Sequence, residues 1–88
     1  MYFVYVLYSK SIDKFYIGFT NNLKRRVSEH KSKNVYTSKR MPGCKLVYYE
    51  ASLFKKDAQR REKQLKTGFG RSYLRKRIKD YIADVAQW

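Results

Sequence analysis

The sequence predicts an α+β domain, a small three-stranded mixed or antiparallel sheet flanked by helices in the order β-β-α-β-α-α. Residues 2–8 are almost all β-branched or aromatic, which is typical of a strand. Leu23 to Lys31 instead places apolar residues at helical spacing. With 88 residues the chain has room for one hydrophobic core, so residues 1–88 are expected to form a single domain.

Polar segments separate the predicted strands. Ser9 to Lys14 predicts a turn that joins the first strand to a second strand, Phe15 to Phe19, as a hairpin. Lys45 to Ala51 predicts the third strand, since it again combines aromatic and apolar residues. Between hairpin and third strand, the polar and basic segment Ser32 to Gly43 predicts a loop.

Three helices account for most of the remaining chain. Thr20, Asn21 and Asn22 offer N-cap side chains to the first helix. A second helix is expected from about Leu53 to Lys66, and the Gly-Phe-Gly run at residues 68–70 is expected to end it. Arg71 to about Ala86 has apolar residues on one face and basic residues on or beside the other, which predicts one last helix packed by one side.

The charge of the chain favours a polyanionic partner. Lys and Arg number 21 against 7 Asp and Glu, so the net charge is +14 and the pI is about 10.1. A folded domain this basic repels itself, and nucleic acid relieves the repulsion with release of counterions. A solvated surface and a contact with an anionic membrane are the alternatives. They are disfavoured because basic residues interleave with aromatic ones and no strongly amphipathic membrane-type helix is visible.

Two absences favour a cytoplasmic protein. No apolar run approaches the roughly 20 residues that span a bilayer, and the N-terminus lacks the pattern of a signal peptide. The one cysteine, Cys44, has no partner for an internal disulfide. A monomer without membrane contact is expected, since nothing in the sequence demands a dimer.

The first helix carries a candidate phosphate site. Arg26 and His30 are four residues apart, so they lie one turn apart on the same side of the helix, where together they could grip one phosphate. Lys24 and Arg25 point more outward. The alternative is a solvated helix face with a surface histidine.

The second helix contains an acid at an unusual place. Glu62 lies four residues after Ala58 and three before Leu65, so it falls on the apolar stripe of the helix. A carboxylate facing the protein body is costly unless a cation or a metal meets it. Catalysis is one explanation; a salt bridge to Arg26, or exposure at the edge of the stripe, is the other.

The chain has nine tyrosines, most of which are expected in the core. Tyr5 and Tyr16 lie on neighbouring hairpin strands, where their hydroxyls could converge, and positive charge could stabilise a phenolate as a general base. Cys/His metal clusters, phosphate-binding glycine loops and Ser-His-Asp sets are absent from the sequence. Any metal would have few protein ligands, which Mg²⁺ tolerates because it keeps several waters.

Taken together, these residues resemble the GIY-YIG nuclease superfamily, in particular its compact stand-alone bacterial branch and the nuclease domain of the excision-repair subunit UvrC. The resemblance covers roughly residues 2–80 and rests on these motifs in order: Val4-Tyr5-Val6, Tyr16-Ile17-Gly18, Leu23, Arg26, and Glu62 within Arg-Arg-Glu-Lys-Gln-Leu-Lys. The segment from Tyr16 through Arg26 to His30 and the Leu-Val-Tyr-Tyr-Glu strand are typical of that branch.

The resemblance implies metal-dependent hydrolysis of DNA phosphodiester bonds. Arg26 would stabilise charge on the phosphate. Glu62 would hold a single divalent cation, Mg²⁺ or Mn²⁺. Tyr16, with Tyr5 nearby, would orient or deprotonate the attacking water, and His30 would assist the nucleophile.

Further residues are expected to contact the nucleic acid. Gly18 is expected to be small so that the backbone and a phosphate can approach closely. The full set of expected contacts is Gly18, Lys24, Arg25, Lys39, Arg40 and Arg61. The substrate is expected to be DNA, branched or damaged as in DNA repair, and selected by structure rather than by sequence.

Two positions depart from the family pattern. Phe3 replaces the first glycine of the family name, and Leu74 stands where many active members carry an asparagine on the last helix. The second departure keeps an alternative open, a weakly active or inactive DNA- or RNA-binding module on the same fold. Ser72 or Tyr73 could partly replace the asparagine. A third interpretation is a basic protein that coats RNA and stacks bases on the hairpin tyrosines.

Overall fold

The sheet is antiparallel throughout, with its first strand in the middle. The computed structural model describes residues 1–32 and 40–86. The strands are β1 (Tyr2–Ser9), β2 (Lys14–Thr20) and β3 (Lys45–Ser52), and their order in the sheet is β2-β1-β3. β1 pairs antiparallel with both neighbours, so Tyr5 lies opposite Gly18 on one side and Tyr49 on the other. Both β2 and β3 are therefore edge strands.

The helices follow the predicted order, and the α+β class is confirmed. They are α1 (Leu23–Lys31), α2 (Lys55–Leu65), α3 (Gly68–Arg77) and α4 (Lys79–Ala86). α1 begins where the cap residues predicted it, because the Asn22 side chain accepts a hydrogen bond from the Arg25 amide at 3.1 Å.

The end of the chain differs from the prediction of one helix from residue 71 to residue 86. The backbone leaves the helical region at Ile78 (φ −112°, ψ 31°), and this buried residue separates α3 from α4. The Gly-Phe-Gly run does not end α2; it forms the first turn of α3, capped by Thr67, whose side chain accepts from the Gly70 amide. Only Ile78 connects α3 to α4, so the periodicity of apolar residues predicts a single helix across both.

The main core lies between one face of the sheet and helices α2 and α3. Alternation along a strand sends successive side chains to opposite faces, so Val4 and Val6 of β1 point to this side together with Ile17 of β2. They pack against Ala58, Leu65 and Leu74 of the helices. Burial of these side chains contributes roughly 25 cal/mol per Å² of apolar surface to folding.

The other face of the sheet carries Tyr5 and is covered by α1. Val27 and His30 of α1 line a hollow together with Leu7 of β1, which places the helix on this side. The predicted loop between residues 32 and 43 falls largely on residues 33–39, outside the described residues, and Lys39 is among them. In the described part of the chain no helix has the length and apolar character to cross a membrane.

Candidate active site

The site is built around the buried ring of Tyr5. Tyr5 lies in the central strand, is 0% exposed, and is paired directly opposite Gly18. A Cβ at Gly18 would lie 2.4 Å from both Cζ and Oη of Tyr5. The structure thus gives a different reason for this glycine than the approach of a phosphate: the Tyr5 ring occupies the space that a side chain would need.

Helix α1 brings two groups to the Tyr5 hydroxyl. Arg26 donates from Nε to the Tyr5 oxygen at 3.2 Å, and Nε2 of His30 lies 3.3 Å from the same oxygen. The two residues are one turn apart, as the i, i+4 spacing predicted. Arg26 also forms an ion pair with Glu29 through Nη1 at 3.1 Å, and neither bond uses its Nη2 nitrogen.

Tyr16 completes the cluster on the edge strand β2. Its ring centroid lies 6.1 Å from that of Tyr5 and 5.8 Å from that of His30. Tyr16 is only partly buried. Of the two tyrosines, it is therefore the one whose ring reaches the protein surface, whereas Tyr5 lies behind it.

The charges of the cluster follow from burial. Desolvation raises the pKa of Tyr5 to about 12, although the Arg26 hydrogen bond opposes this. The hydrogen bonds to Tyr5 and Glu29 raise the pKa of Arg26, so it stays a cation. Burial, and then the positive charge of Arg26, lower the pKa of His30. At neutral pH the site therefore holds a neutral phenol, a neutral imidazole and one guanidinium.

His30 is not a surface histidine, because α1 holds its ring against the sheet. It is 5% exposed, and its ring contacts Tyr5 and Tyr16. Among the described residues its Nδ1 has no hydrogen-bond partner. In the described residues the ring of His30 thus contacts the two tyrosines and holds one nitrogen without a partner.

Acidification is expected to destabilise the wild type through His30. The folded-state pKa lies below the ordinary 6.5, so the unfolded chain takes up the proton first as the pH falls. The contribution of the neutral His30 to the free energy of unfolding is complete above pH 6.5. It is lost as the pH falls from 6.5 toward the folded-state pKa. Urea unfolding at about pH 7.5 and about pH 5.5 should show a smaller loss for His30→Asn than for the wild type. His30 is the only histidine in the chain, so an equal loss in both proteins would contradict its burial as a neutral group.

Glu62 lies on the flank of α2 that faces β2. Ala58 and Leu65 are fully buried and define the side of the helix that packs on the sheet. At 3.6 residues per turn, Arg61 and Glu62 lie on opposite flanks of that side. Arg61 reaches Glu50 on β3 at 3.0 Å. Glu62 consequently lies on the flank toward the other edge of the sheet.

The partner of Glu62 supports this placement. Lys66 forms an ion pair with Glu62 at 3.0 Å, and Lys66 lines a hollow together with Tyr16 of β2. Arg26 lines another hollow with Phe19, also on β2. Arg26 and Glu62 thus reach the same edge strand from opposite faces of the sheet. The alternative of a salt bridge between them is not found, because Arg26 pairs with Glu29 and Glu62 with Lys66.

The donors present suit a hard divalent cation bound by few protein ligands. In the described residues no three His, Cys, Asp or Glu side chains cluster as a metal cage. Glu62 offers one carboxylate whose side chain is 21% exposed, and its partner Lys66 is 54% exposed, so a cation could compete with the lysine from solvent. Mg²⁺ and Mn²⁺ accept such a site, since carboxylate oxygens and water complete their coordination.

The remaining predicted contacts differ in availability. Lys24, Arg25 and Arg40 are exposed, whereas Lys39 lies outside the described residues. Arg61 is engaged internally: its Nε and Nη2 donate to Glu50, and its Nη1 donates to Gln64.

The structure shows contacts of Glu29 and Leu74 that the family motifs did not predict. Glu29 follows Arg26 by three residues, a spacing that predicts a helical ion pair, and it anchors one end of the guanidinium. Leu74, at the family's asparagine position, is 0% exposed and belongs to the core. Tyr73 does not replace the asparagine beside Glu62, because its hydroxyl contacts Tyr48 of β3 at 3.1 Å.

Comparison with known proteins agrees with this architecture. Residues 1–77 match the family described as the GIY-YIG catalytic domain. The chain therefore belongs to the GIY-YIG family of nucleases.

Two curated relatives are bacterial. A UPF0213 protein of Limosilactobacillus reuteri (strain DSM 20016) is 44% identical over 61 residues, which is 65% of this chain and 62% of that protein. A UPF0213 protein of Clostridium perfringens (strain 13 / Type A) is 41% identical over 68 residues, 75% of this chain and 71% of the relative. The first match thus spans less than two thirds of the relative's length. No solved structure matches the chain.

Proposed function

We propose that this protein is a metal-dependent endonuclease that hydrolyses DNA phosphodiester bonds and selects DNA by structure, such as branching or damage, rather than by sequence. One observation carries the proposal: α1 and the hairpin bring Tyr5, Tyr16, Arg26 and His30 together. A guanidinium held by Tyr5, whose ring packs against the partly exposed Tyr16, is suited to stabilising charge on a phosphate during its transfer.

Each residue of the site then has a separate role in the proposed reaction. Arg26 contacts the phosphate, with Nη2 not committed to Tyr5 or Glu29. Tyr16, the partly exposed tyrosine, orients the water that attacks phosphorus as the bond to the leaving sugar oxygen breaks. Tyr5 and His30 position Arg26 and Tyr16 from behind. Glu62 would hold Mg²⁺ or Mn²⁺, which supplies Lewis-acid stabilisation of the phosphate and the leaving oxygen when bound.

Selection by structure is supported by the charge. A net charge of +14 favours contacts with phosphates, and such contacts position a protein on DNA without reading the bases.

A DNA- or RNA-binding module without activity is the second candidate. The observation in its favour is Leu74, fully buried at the position where many active relatives carry asparagine. Glu62 opposes it, because an acid near bound phosphates repels them and so benefits an enzyme more than a binder.

Replacement of Arg26 by alanine tests the proposal. Supercoiled, branched and single-stranded DNA are incubated with Mg²⁺, Mn²⁺ or EDTA, and we expect cleavage that EDTA abolishes. Arg26→Ala should lower the rate at saturating DNA about 10²- to 10³-fold, the cost of removing one donor to transition-state charge. Arg60→Ala is the control, because Arg60 has a comparable i, i+3 ion pair, to Asp57, on α2. Binding without cleavage of any DNA would favour the inactive module.

A further inference from the structure

Phe69 is a large apolar side chain that neither the core nor the candidate active site explains. It lies in the first turn of α3 and is 56% exposed. Exposure of an aromatic ring forfeits the stabilisation that burial would provide. The residues around it show why the ring is held at the surface.

The surroundings of Phe69 form a rigid stack. Its ring lies against that of Tyr73, one turn along α3, with centroids 6.1 Å apart and planes 27° apart. The guanidinium of Arg61 lies over Tyr73, with Cζ 4.8 Å from the ring centroid. Arg61 is in turn fixed by Glu50, and the Tyr73 hydroxyl by Tyr48. Phe69, Tyr73 and Arg61, here called the Phe69 platform, are therefore pre-ordered before any ligand arrives.

The charge around the platform is strongly positive. Residues 55–77 contain ten Lys and Arg against two acids, Asp57 and Glu62. Arg77, one further turn along α3 from Tyr73, is close enough to help lower the pKa of Glu50. A single strand of nucleic acid carries negatively charged phosphates and flat bases in alternation. It therefore matches a flat aromatic surface surrounded by positive charge.

A membrane surface fits less well. Membrane-binding helices present a continuous apolar face. On α3 the residues that follow Phe69 at helical spacing are Tyr73, which is partly buried and hydrogen-bonded, and Arg77.

We propose that the Phe69 platform stacks an unpaired nucleotide of the DNA whose phosphates pass the candidate active site. Arg61 and Glu62 are consecutive residues about 100° apart around α2, so the platform and the acid are separated by a distance on the order of 10 Å. A short single-stranded segment spans that distance. The inference rests on the proposed nuclease function for the identity of the strand, and it narrows the substrate to DNA with unpaired nucleotides.

The experiment measures binding in EDTA, so that no cleavage occurs. Fluorescence anisotropy is recorded with a labelled single-stranded oligonucleotide and with a duplex of the same length. Stacking of one base contributes about 1–3 kcal/mol, so Phe69→Ala should weaken single-strand binding about 5- to 150-fold and duplex binding less than about twofold. The slope of affinity against salt should not change, since no charge is lost. Phe69→Trp should retain the affinity.

Phe54→Ala is the matched control, because Phe54 is 66% exposed in front of α2 and lies outside the platform. Equal losses for single strand and duplex, or equal losses for Phe54→Ala and Phe69→Ala, would overturn the proposal. So would unchanged DNA binding by Phe69→Ala combined with lost binding to phosphatidylserine vesicles, which would indicate a membrane contact. Thermal unfolding verifies that both variants fold.

Different results would contradict the nuclease function and the Phe69 platform. A wild type that binds single strands through Phe69 but cuts no DNA would keep the platform and remove the enzyme. A wild type that cuts DNA and is indifferent to Phe69→Ala would keep the enzyme and remove the platform.

Discussion

The rate at which Glu62→Ala cleaves DNA is expected to be lower than that of the wild type by about three orders of magnitude or more. Its affinity for DNA should stay the same or increase. A divalent cation contributes several kcal/mol of transition-state stabilisation, and each 1.36 kcal/mol is a factor of ten in rate. Binding does not suffer, because the carboxylate repels phosphates. Single-turnover cleavage at saturating DNA, titrated with Mg²⁺ or Mn²⁺ and paired with anisotropy, separates the two effects.

Asp57→Ala is the appropriate control for Glu62→Ala. Asp57 is an acid on the same helix, exposed and paired with Arg60, as Glu62 is paired with Lys66. Both variants raise the net charge by one, so a purely electrostatic effect on binding appears in both. Cleavage by Glu62→Ala at the rate of Asp57→Ala would contradict the assignment of Glu62 as the cation ligand.

Gly70→Ala is expected to destabilise the fold by about 3 kcal/mol, at the upper end of overpacking effects. A Cβ on Gly70 would lie 1.9 Å from the carbonyl oxygen of Leu65 and 2.4 Å from its Cα. These are backbone atoms that cannot rotate away, so α3 must move from α2. Leu65 and Leu74, both fully buried, would lose packing as the helices separate. Urea denaturation followed by circular dichroism measures the loss.

Gly68 provides a control two residues away. A Cβ there meets nothing within 4 Å, and alanine is the better helix former by up to about 1 kcal/mol. Gly68→Ala should therefore leave stability unchanged or raise it slightly. For a domain of this size 1 kcal/mol moves the Tm by about 4–8 °C, so Gly70→Ala should melt roughly 12–24 °C lower. Similar Tm values for the two variants would show that α2 and α3 are not in tight contact at Gly70.

Local patterns predicted the fold well where a single element carries the signal. The aromatic and β-branched run at residues 2–8 predicted β1, and Asn22 predicted the start of α1. The split at Ile78 was missed, because the apolar face of α3 continues in phase into α4 and hides a break of one residue. Helix boundaries depend on backbone angles, which periodicity does not report.

The sequence predicted which side of α1 the site residues share, but not how deeply they are buried. The spacing of Arg26 and His30 places them on one side of a helix, whatever that helix packs against. The burial of His30 depends on the tyrosines of two strands that meet it only in the folded chain. Exposure of a polar residue on an amphipathic helix is decided by what covers its flank, so the sequence could not distinguish a surface histidine from a buried one.

The sequence by itself determined the order of elements, the positive charge, the family motifs and the position of Glu62 next to the apolar stripe of α2. These features need only composition, periodicity and spacing, all of which are local. The tertiary structure alone decided that Gly18 makes room for Tyr5, that Arg61 is tied to Glu50, and that Phe69 stands exposed on Tyr73. The first two contacts join residues from different elements, and the exposure of Phe69 depends on how α3 packs, so all three need sheet order and helix packing that no local pattern encodes.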